Sequence, residues 1–477
     1  MRTLTLILAF LMAAHMGVAA PNDLRLAEAA ERGDAAAVRA LLAERAEVNA
    51  AQLDGSTALH WAAHHGDLET VQALIAAGAN VNAANELGAT PLWLASSLGV
   101  RAVVETLLRA GATANTALLS GETALMSAVD RGSAEVVKAL LDGGANPNAS
   151  EAKGGQTALM WAVSENHEQI ARLLLAYRAN PNARTKAGFT PLLFAAQQGA
   201  TDSAKLLLEA GADINAASQK EGLTPLSLSI ASGHGEFPAL LIERGANTNL
   251  ADARGYTALH YAASERSGER SGEVDLLKAL IARGANLNAR ITKDPPRANE
   301  GGYALPGATP LFMAARIANL PAVRALLDAG ADPLLGTNTK TTPFAVAAGV
   351  GYPQDRDWYE SEKKDFLEIV KLLADRGADI NAAGENGWTP LHGAAYKGLD
   401  DIARFLLAKG ANIEAVDAFG QTPLVVAGAL QTVEIGDHFY QSPRTERRHT
   451  FDLLLSLGAK PLEQSGVHLV ETATFAE

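Results

Sequence analysis

Two histidines four residues apart, His60 and His64, have the spacing at which one helix face presents a pair of metal ligands. A second group, Asp437, His438 and His449, gathers a carboxylate and two imidazoles in one stretch, the makings of an acid–base pair. Neither is accompanied by the parts that would complete it. The 477 residues hold no Gly-rich phosphate loop, nucleophile elbow or zinc-protease helix. With no cysteine there is also no thiolate ligand, thiol nucleophile or disulfide framework. The sequence therefore assigns no catalytic residue, no cofactor and no metal site, and it is not read as an enzyme. The residues with the best claim to function are aromatic: Trp388 and Tyr396, then Tyr352, Trp358 and Tyr359, then His438, Phe439 and Tyr440. Trp and Tyr offer large apolar area with a polar handle, which is what binding hot spots use.

The elements that must position these residues follow from an internal period. The tripeptide Thr-Pro/Ala-Leu (once Phe) starts at Thr57, Thr90, Thr123, Thr157, Thr190, Thr224, Thr257, Thr309, Thr342, Thr389 and Thr422. The spacing is 33 or 34 residues except for gaps of 52 and 47. Most of these are followed by Gly-Ala-Asn/Asp-x-Asn, as in Gly78-Ala79-Asn80-Val81-Asn82. From about residue 22 to 460 the sequence resembles the ankyrin-repeat family. That resemblance implies an all-α repeat solenoid of about twelve helix–turn–helix units joined by β-hairpin fingers. It also implies a structural role for His60, His260 and His392, which all follow Thr-Pro/Ala-Leu directly.

The residues support this reading singly. Thr can cap the first helix, and Pro suits the first helical position. Leu59, Ala62 and Ala63 recur at helical spacing, and the alanines let neighbouring units approach closely. The second helix carries a doubled apolar stripe, such as Val71, Leu74 and Ile75, and Gly78 ends it. Asp23–Ala50 lacks the Thr start and reads as a cap, its outer face showing Arg25, Glu28, Glu31 and Arg32. No single unit buries both faces of its helices, so stability must come from stacking. Trp61, Trp161, Phe194 and Tyr261 sit four residues after their Thr and are expected in the core or groove floor.

Departures from the period mark candidate function, because insertions map to loops on one face. They fall near 264–273, 290–307, 350–364 and 431–448, and residues 461–477 form a tail without repeat pattern. The insertions with Tyr352, Trp358 and Tyr359 and with His438, Phe439 and Tyr440 flank the regular unit that starts at Thr389. In ankyrin repeats the positions of Trp388 and Tyr396 belong to the variable, exposed residues that contact partners. The eight aromatic and histidine residues are thus the candidate partner-binding set. The rival reading is that they only anchor the long loops. In the N-terminal half the equivalent positions, such as His64, His65, Glu86, Leu87, Asp130 and Arg131, form an extended polar groove or plain surface.

A net charge of −13 with scattered basic residues argues against nucleic acid, which needs clustered Lys and Arg. Met1-Arg2-Thr3, the apolar run Leu4–Met12 and the small residues Gly17 to Ala20 have the three parts of a secretory signal peptide, here 1–19. Nothing later is long and apolar enough to span a bilayer. The expectation is a monomeric adaptor, periplasmic or secreted, that holds a protein partner on its concave face and C-terminal insertions. The alternatives are a secreted factor engaging a host or neighbouring-cell protein, and a small-molecule or enzymatic pocket built by the insertions.

Overall fold

Each first helix starts where a Thr turns its hydroxyl onto the helix it precedes. In the computed structural model, which describes residues 23–264, 273–293, 305–351, 360–428 and 447–461, Thr90 Oγ1 accepts from the Trp93 N–H and Pro91 follows it. Thr190, Thr309 and Thr342 cap their helices in the same way. A hydroxyl at this position satisfies one of the orphan N–H groups at a helix start.

Among the described residues, 24 helices form twelve antiparallel pairs, and the chain divides into two compact units at Asp213 and Ile214. In the first unit, Ala58–His65 and Leu68–Ala76 are a representative pair, joined by Gly66 at φ 69°. Leu59, Ala62 and Ala63 of the first helix and Val71 and Leu74 of the second are buried. The second helix closes through Gly78, whose N–H bonds Ile75 O at 3.0 Å while Ala79 N bonds Leu74 O at 3.0 Å. This double closure needs a left-handed residue, and Gly78 has φ 91°. The cap helices Arg25–Glu31 and Ala35–Ala43 bury Leu26, Ala27, Ala29 and Val38 and leave Arg25, Glu28, Glu31 and Arg32 exposed, as a solvent-facing end requires.

Two pairs break the glycine rule, the cap pair at Arg45, φ 60°, and one further on. After the helix Glu168–Ala176 the left-handed position is Arg178, at φ 65°. A side chain there costs about 1 kcal/mol that Gly avoids, partly offset by the extra freedom Gly has when unfolded. Arg178 is exposed, and its bonds are made by the backbone: its N–H donates to Leu175 O at 3.0 Å and its carbonyl accepts from Asn148 Nδ2. Arg178→Gly is therefore expected to stabilise the first unit by roughly 0.5–1 kcal/mol, read as a higher urea midpoint at unchanged slope. A lower midpoint would mean that the Arg178 side chain contributes contacts worth more than the strain.

Adjacent pairs are stitched along two lines. Among the described residues the hairpin fingers hold only isolated β-bridges, such as Ala51↔Thr57 and Ala117↔Thr123. Each finger still bonds the next: Glu86 N to Asp54 O at 2.8 Å, Leu119 N to Leu87 O at 3.0 Å, Ala152 N to Ser120 O at 2.7 Å. The second line is an asparagine ladder. Asn49, Asn82, Asn115, Asn148 and Asn182 each donate Nδ2 to a helix-end carbonyl one repeat on, at 2.9–3.2 Å. Each Oδ1 accepts a backbone N–H of that same repeat at 2.7–2.8 Å. In the second unit Asn249 and Asn381 repeat both bonds. The amide thus satisfies two backbone groups that the helix end leaves open, and it holds neighbours in register.

The insertions of the second unit begin and end in regular structure. Ile291 N bonds Ala308 O at 3.0 Å, so the long finger closes at its base like the short ones. After Pro343–Ala347 the chain leaves through Gly349 and Val350 and is helical again from Glu360 to Asp375. The sequence put residues 350–364 between helices, and the last five of these instead lengthen the second helix to 16 residues.

Candidate protein-interaction face

The period places a His three residues after Thr57, Thr257 and Thr389. His60, His260 and His392 are 1%, 0% and 0% exposed. In each, Nδ1 takes the Thr backbone N–H and hydroxyl, and Nε2 faces a carbonyl one repeat on: Ala89, Ala308 and Gln421. An Nδ1 that accepts an N–H carries no proton, so Nε2 is the protonated nitrogen and donates to the carbonyl. Burial pushes all three imidazoles below their ordinary range, His260 down to about 4. His60 thus has both ring nitrogens committed and cannot pair with the exposed His64 on a metal.

Trp388 ends a finger and Tyr396 lies on the last turn of Pro390–Lys397, and the fold brings them together. Their rings meet edge to face at 5.2 Å and 67°, and Trp388 stacks over His392 at 6.2 Å and 22°. The indole Nε1 donates to Asp417 Oδ2 at 3.0 Å. Asp417 is 6% exposed, and its Oδ1 accepts the N–H groups of Phe419 and Gln421, both at 2.8 Å. The sequence put Trp388 and Tyr396 at exposed positions; both are half-buried, and the next finger grips the indole. Both residues stay partly exposed, and the Nε1 bond fixes the orientation of the indole.

Both flanking insertions touch this helix. Gly349 and Val350 pass so close to Gly393 that a Cβ there would lie 2.4 Å from Val350 N. Only a glycine permits that approach. On the other side Arg447 donates Nε to Tyr396 O at 3.3 Å, and its N–H bonds Ala427 O at 2.8 Å. Of the candidate set, Tyr352, Trp358, Tyr359, His438, Phe439 and Tyr440 lie outside the described residues. Asp417 and Gly393 were missed in the sequence. Gly393 had a signal, a Gly inside a helix where neighbouring units carry Ala or larger residues.

The groove-floor aromatics share a level of burial. Trp61, Trp161, Phe194 and Tyr261 are all half-buried. Trp61 Nε1 donates to Gln52 at 2.7 Å and the Tyr261 hydroxyl to Asp252 at 2.9 Å, in each case to a finger residue nine positions earlier. Burial, then the bond to Asp252, holds the Tyr261 phenol above its ordinary range. Trp61 and Tyr261 thus tie helix to finger, whereas the buried Trp161 Nε1 finds no hydrogen-bond partner.

Models of ankyrin repeats match residues 26–117, 102–186, 125–218, 192–291 and 359–436, and a single-repeat model matches 307–338. The chain belongs to the ankyrin-repeat family. Ankyrin-repeat chains are in general non-catalytic protein-interaction modules, and this one has their helix pairs and fingers throughout the described residues. Among its relatives, the human Ankyrin repeat and SOCS box protein 16 is 28% identical over 241 residues, 44% of this chain and 47% of that protein. The Drosophila melanogaster Neurogenic locus Notch protein is 32% identical over 169 residues, 33% of this chain and 5% of that protein. The mouse Protein phosphatase 1 regulatory subunit 27 is 51% identical over 50 residues, 10% of this chain and 32% of that protein. The chain thus spans less than half the length of each of these relatives. No helix among the described residues is long and apolar enough to cross a membrane.

Proposed function

We propose that this ankyrin-repeat chain is an adaptor that acts after export and holds a protein partner against the helix Pro390–Lys397 and the insertions beside it. The observation that carries the reading is the Trp388–Tyr396 pair, edge to face at 5.2 Å, half-exposed and pinned through Asp417. Rigid aromatics lose little entropy on binding, so pinning adds to affinity. The basic, apolar and small-residue stretches of 1–19 support export, into the periplasm or the medium.

The test is affinity capture from the exported protein fraction of the source cell. One bait is the intact chain; the other lacks 352–359 and 431–446, with its helical spectrum checked. A protein recovered by the intact bait and lost from the trimmed one is the expected result. Recovery by both baits would remove the insertions from the site. Recovery by neither would overturn the adaptor reading.

A further inference from the structure

The first helix that starts after Thr342 is cut short. Pro343–Ala347 has five residues, whereas Pro390–Lys397, the first helix of the next pair, has eight. The left-handed residue that closes it is Gly349, at φ 100°, seven positions after Thr342. In the first unit Gly66 and Gly199 close their helices nine positions after Thr57 and Thr190. The closing bonds are of the same kind. Gly349 N bonds Val346 O and Val350 N bonds Ala345 O, both at 3.0 Å, as Gly66 N bonds Ala63 O and Asp67 N bonds Ala62 O. Closing two residues early turns the exit by about 200° around the helix axis, at 3.6 residues per turn. The chain therefore leaves on a different side and runs onto the first helix of the next pair.

It lands on Gly393, four residues after Thr389, the groove-floor position that Trp61, Trp161 and Phe194 hold in the first unit. Those three are half-buried; Gly393 is buried, and a Cβ there would lie 2.4 Å from Val350 N and 2.9 Å from Val350 Cγ2. A Cβ on Gly349 would in turn lie 2.7 Å from Gly393 O and 3.2 Å from Lys397 Cγ. Lys397 records the cover. It is 7% exposed, whereas the residues at its position in the first unit, His65, Leu98, Arg131, Glu165 and Gln198, are all exposed. Lysine is among the residues most often left in solvent. We propose that residues 349–351 are an intramolecular strap that closes the groove side of Pro390–Lys397, and that Gly393 is the residue that admits it. Backbone bonds tie the strap to its own helix, and packing of Val350, 2% exposed, holds it on the next. Such packing has no direction, so the strap lifts without breaking either helix. Lifting it frees the Lys397 ammonium, next to Tyr396 in the chain, for a carboxylate of a partner. That consequence rests on the adaptor reading; the strap itself does not.

The test uses the full chain, whose lack of cysteine lets one introduced thiol be followed alone. K397C and Q198C, its exposed counterpart in the first unit, are each reacted with a small disulfide reagent. Every rate is divided by that of the same variant unfolded in urea, which cancels the intrinsic reactivity of the thiol. K397C should react about tenfold more slowly than Q198C. Adding G393A, which puts a methyl group where Val350 N lies, should bring K397C up to the Q198C rate with the cooperative melt retained. V350D should do the same by a second route, since it drives a carboxylate out of a buried position and leaves Gly393 as it is. Equal rates for K397C and Q198C without these changes would overturn the inference. So would a K397C rate that stays slow in both strap variants. Loss of the cooperative melt in both would show that the crossing belongs to the core and is no strap. No partner enters the measurement, so its failure leaves the adaptor reading standing, and the reverse.

Discussion

Lowering the pH from 7 to 4 is expected to remove roughly 3 kcal/mol of stability from the second unit through His260 alone. The folded imidazole is pushed from the ordinary 6.5 down to about 4, first by burial, against the smaller pull of the Ala308 and Ala289 carbonyls and of Asp252. Between those two values the unfolded chain binds a proton that the folded chain refuses. Stability is therefore fully present above about pH 6.5 and falls as pH drops toward 4, where the loss levels off. His392, lowered for the same first reason, adds in the same direction. His260→Gln should cost stability at pH 7, because the Thr257 N–H and the Ala308 carbonyl lose a partner. It should also remove the slope that His260 supplies, so urea midpoints of variant and wild type converge toward pH 4. Parallel midpoints across that range would show that His260 titrates alike in both states.

The same imidazoles explain why the repeats depend on each other. Each ring closes the start of its own helix on one side and reaches a carbonyl of the next repeat on the other. The asparagine ladder does this at the opposite end of the unit, from the finger to the following helix terminus. Protonating one His, or truncating one Asn, therefore weakens an interface between neighbours. In a linear array that is where most of the stability resides.

What the sequence made legible was local. The Thr cap, Pro91, the alanines of the first helix and Gly78 act within one helix turn of themselves, so residue type and spacing suffice to read them. The asparagines gave only a turn signal. Their partners lie 29 and 31 residues away, as for Asn82 with Gly111 and Thr113, and no local rule points there. The candidate face divides the same way. The position of Trp388 before its Thr was readable, but its burial was not, because Asp417 grips it from the next finger, 29 residues on. Gly393 was passed over, because the need for a glycine there comes from Val350 N, outside its own repeat.

Truncating both aromatics of the second unit should produce the largest change in partner binding. Trp388 and Tyr396 present contiguous half-exposed faces at 5.2 Å, and central aromatics of this kind carry most of an interface's energy. Trp388→Ala with Tyr396→Ala is expected to weaken the captured partner about a hundredfold. The fold should survive, since Asp417 keeps its bonds from Phe419 N, Gln421 N and Gln421 Nε2. Trp388→Phe separates the ring from its N–H: it keeps the stacking surface and loses the bond that pins it. The most direct measurement is isothermal titration of that partner into wild-type chain and double variant, with thermal melts of both alongside. A loss of about a hundredfold with the cooperative melt retained is the predicted result. An unchanged affinity would contradict the assignment of this face, and a collapsed melt would show that the two aromatics hold the fold together instead.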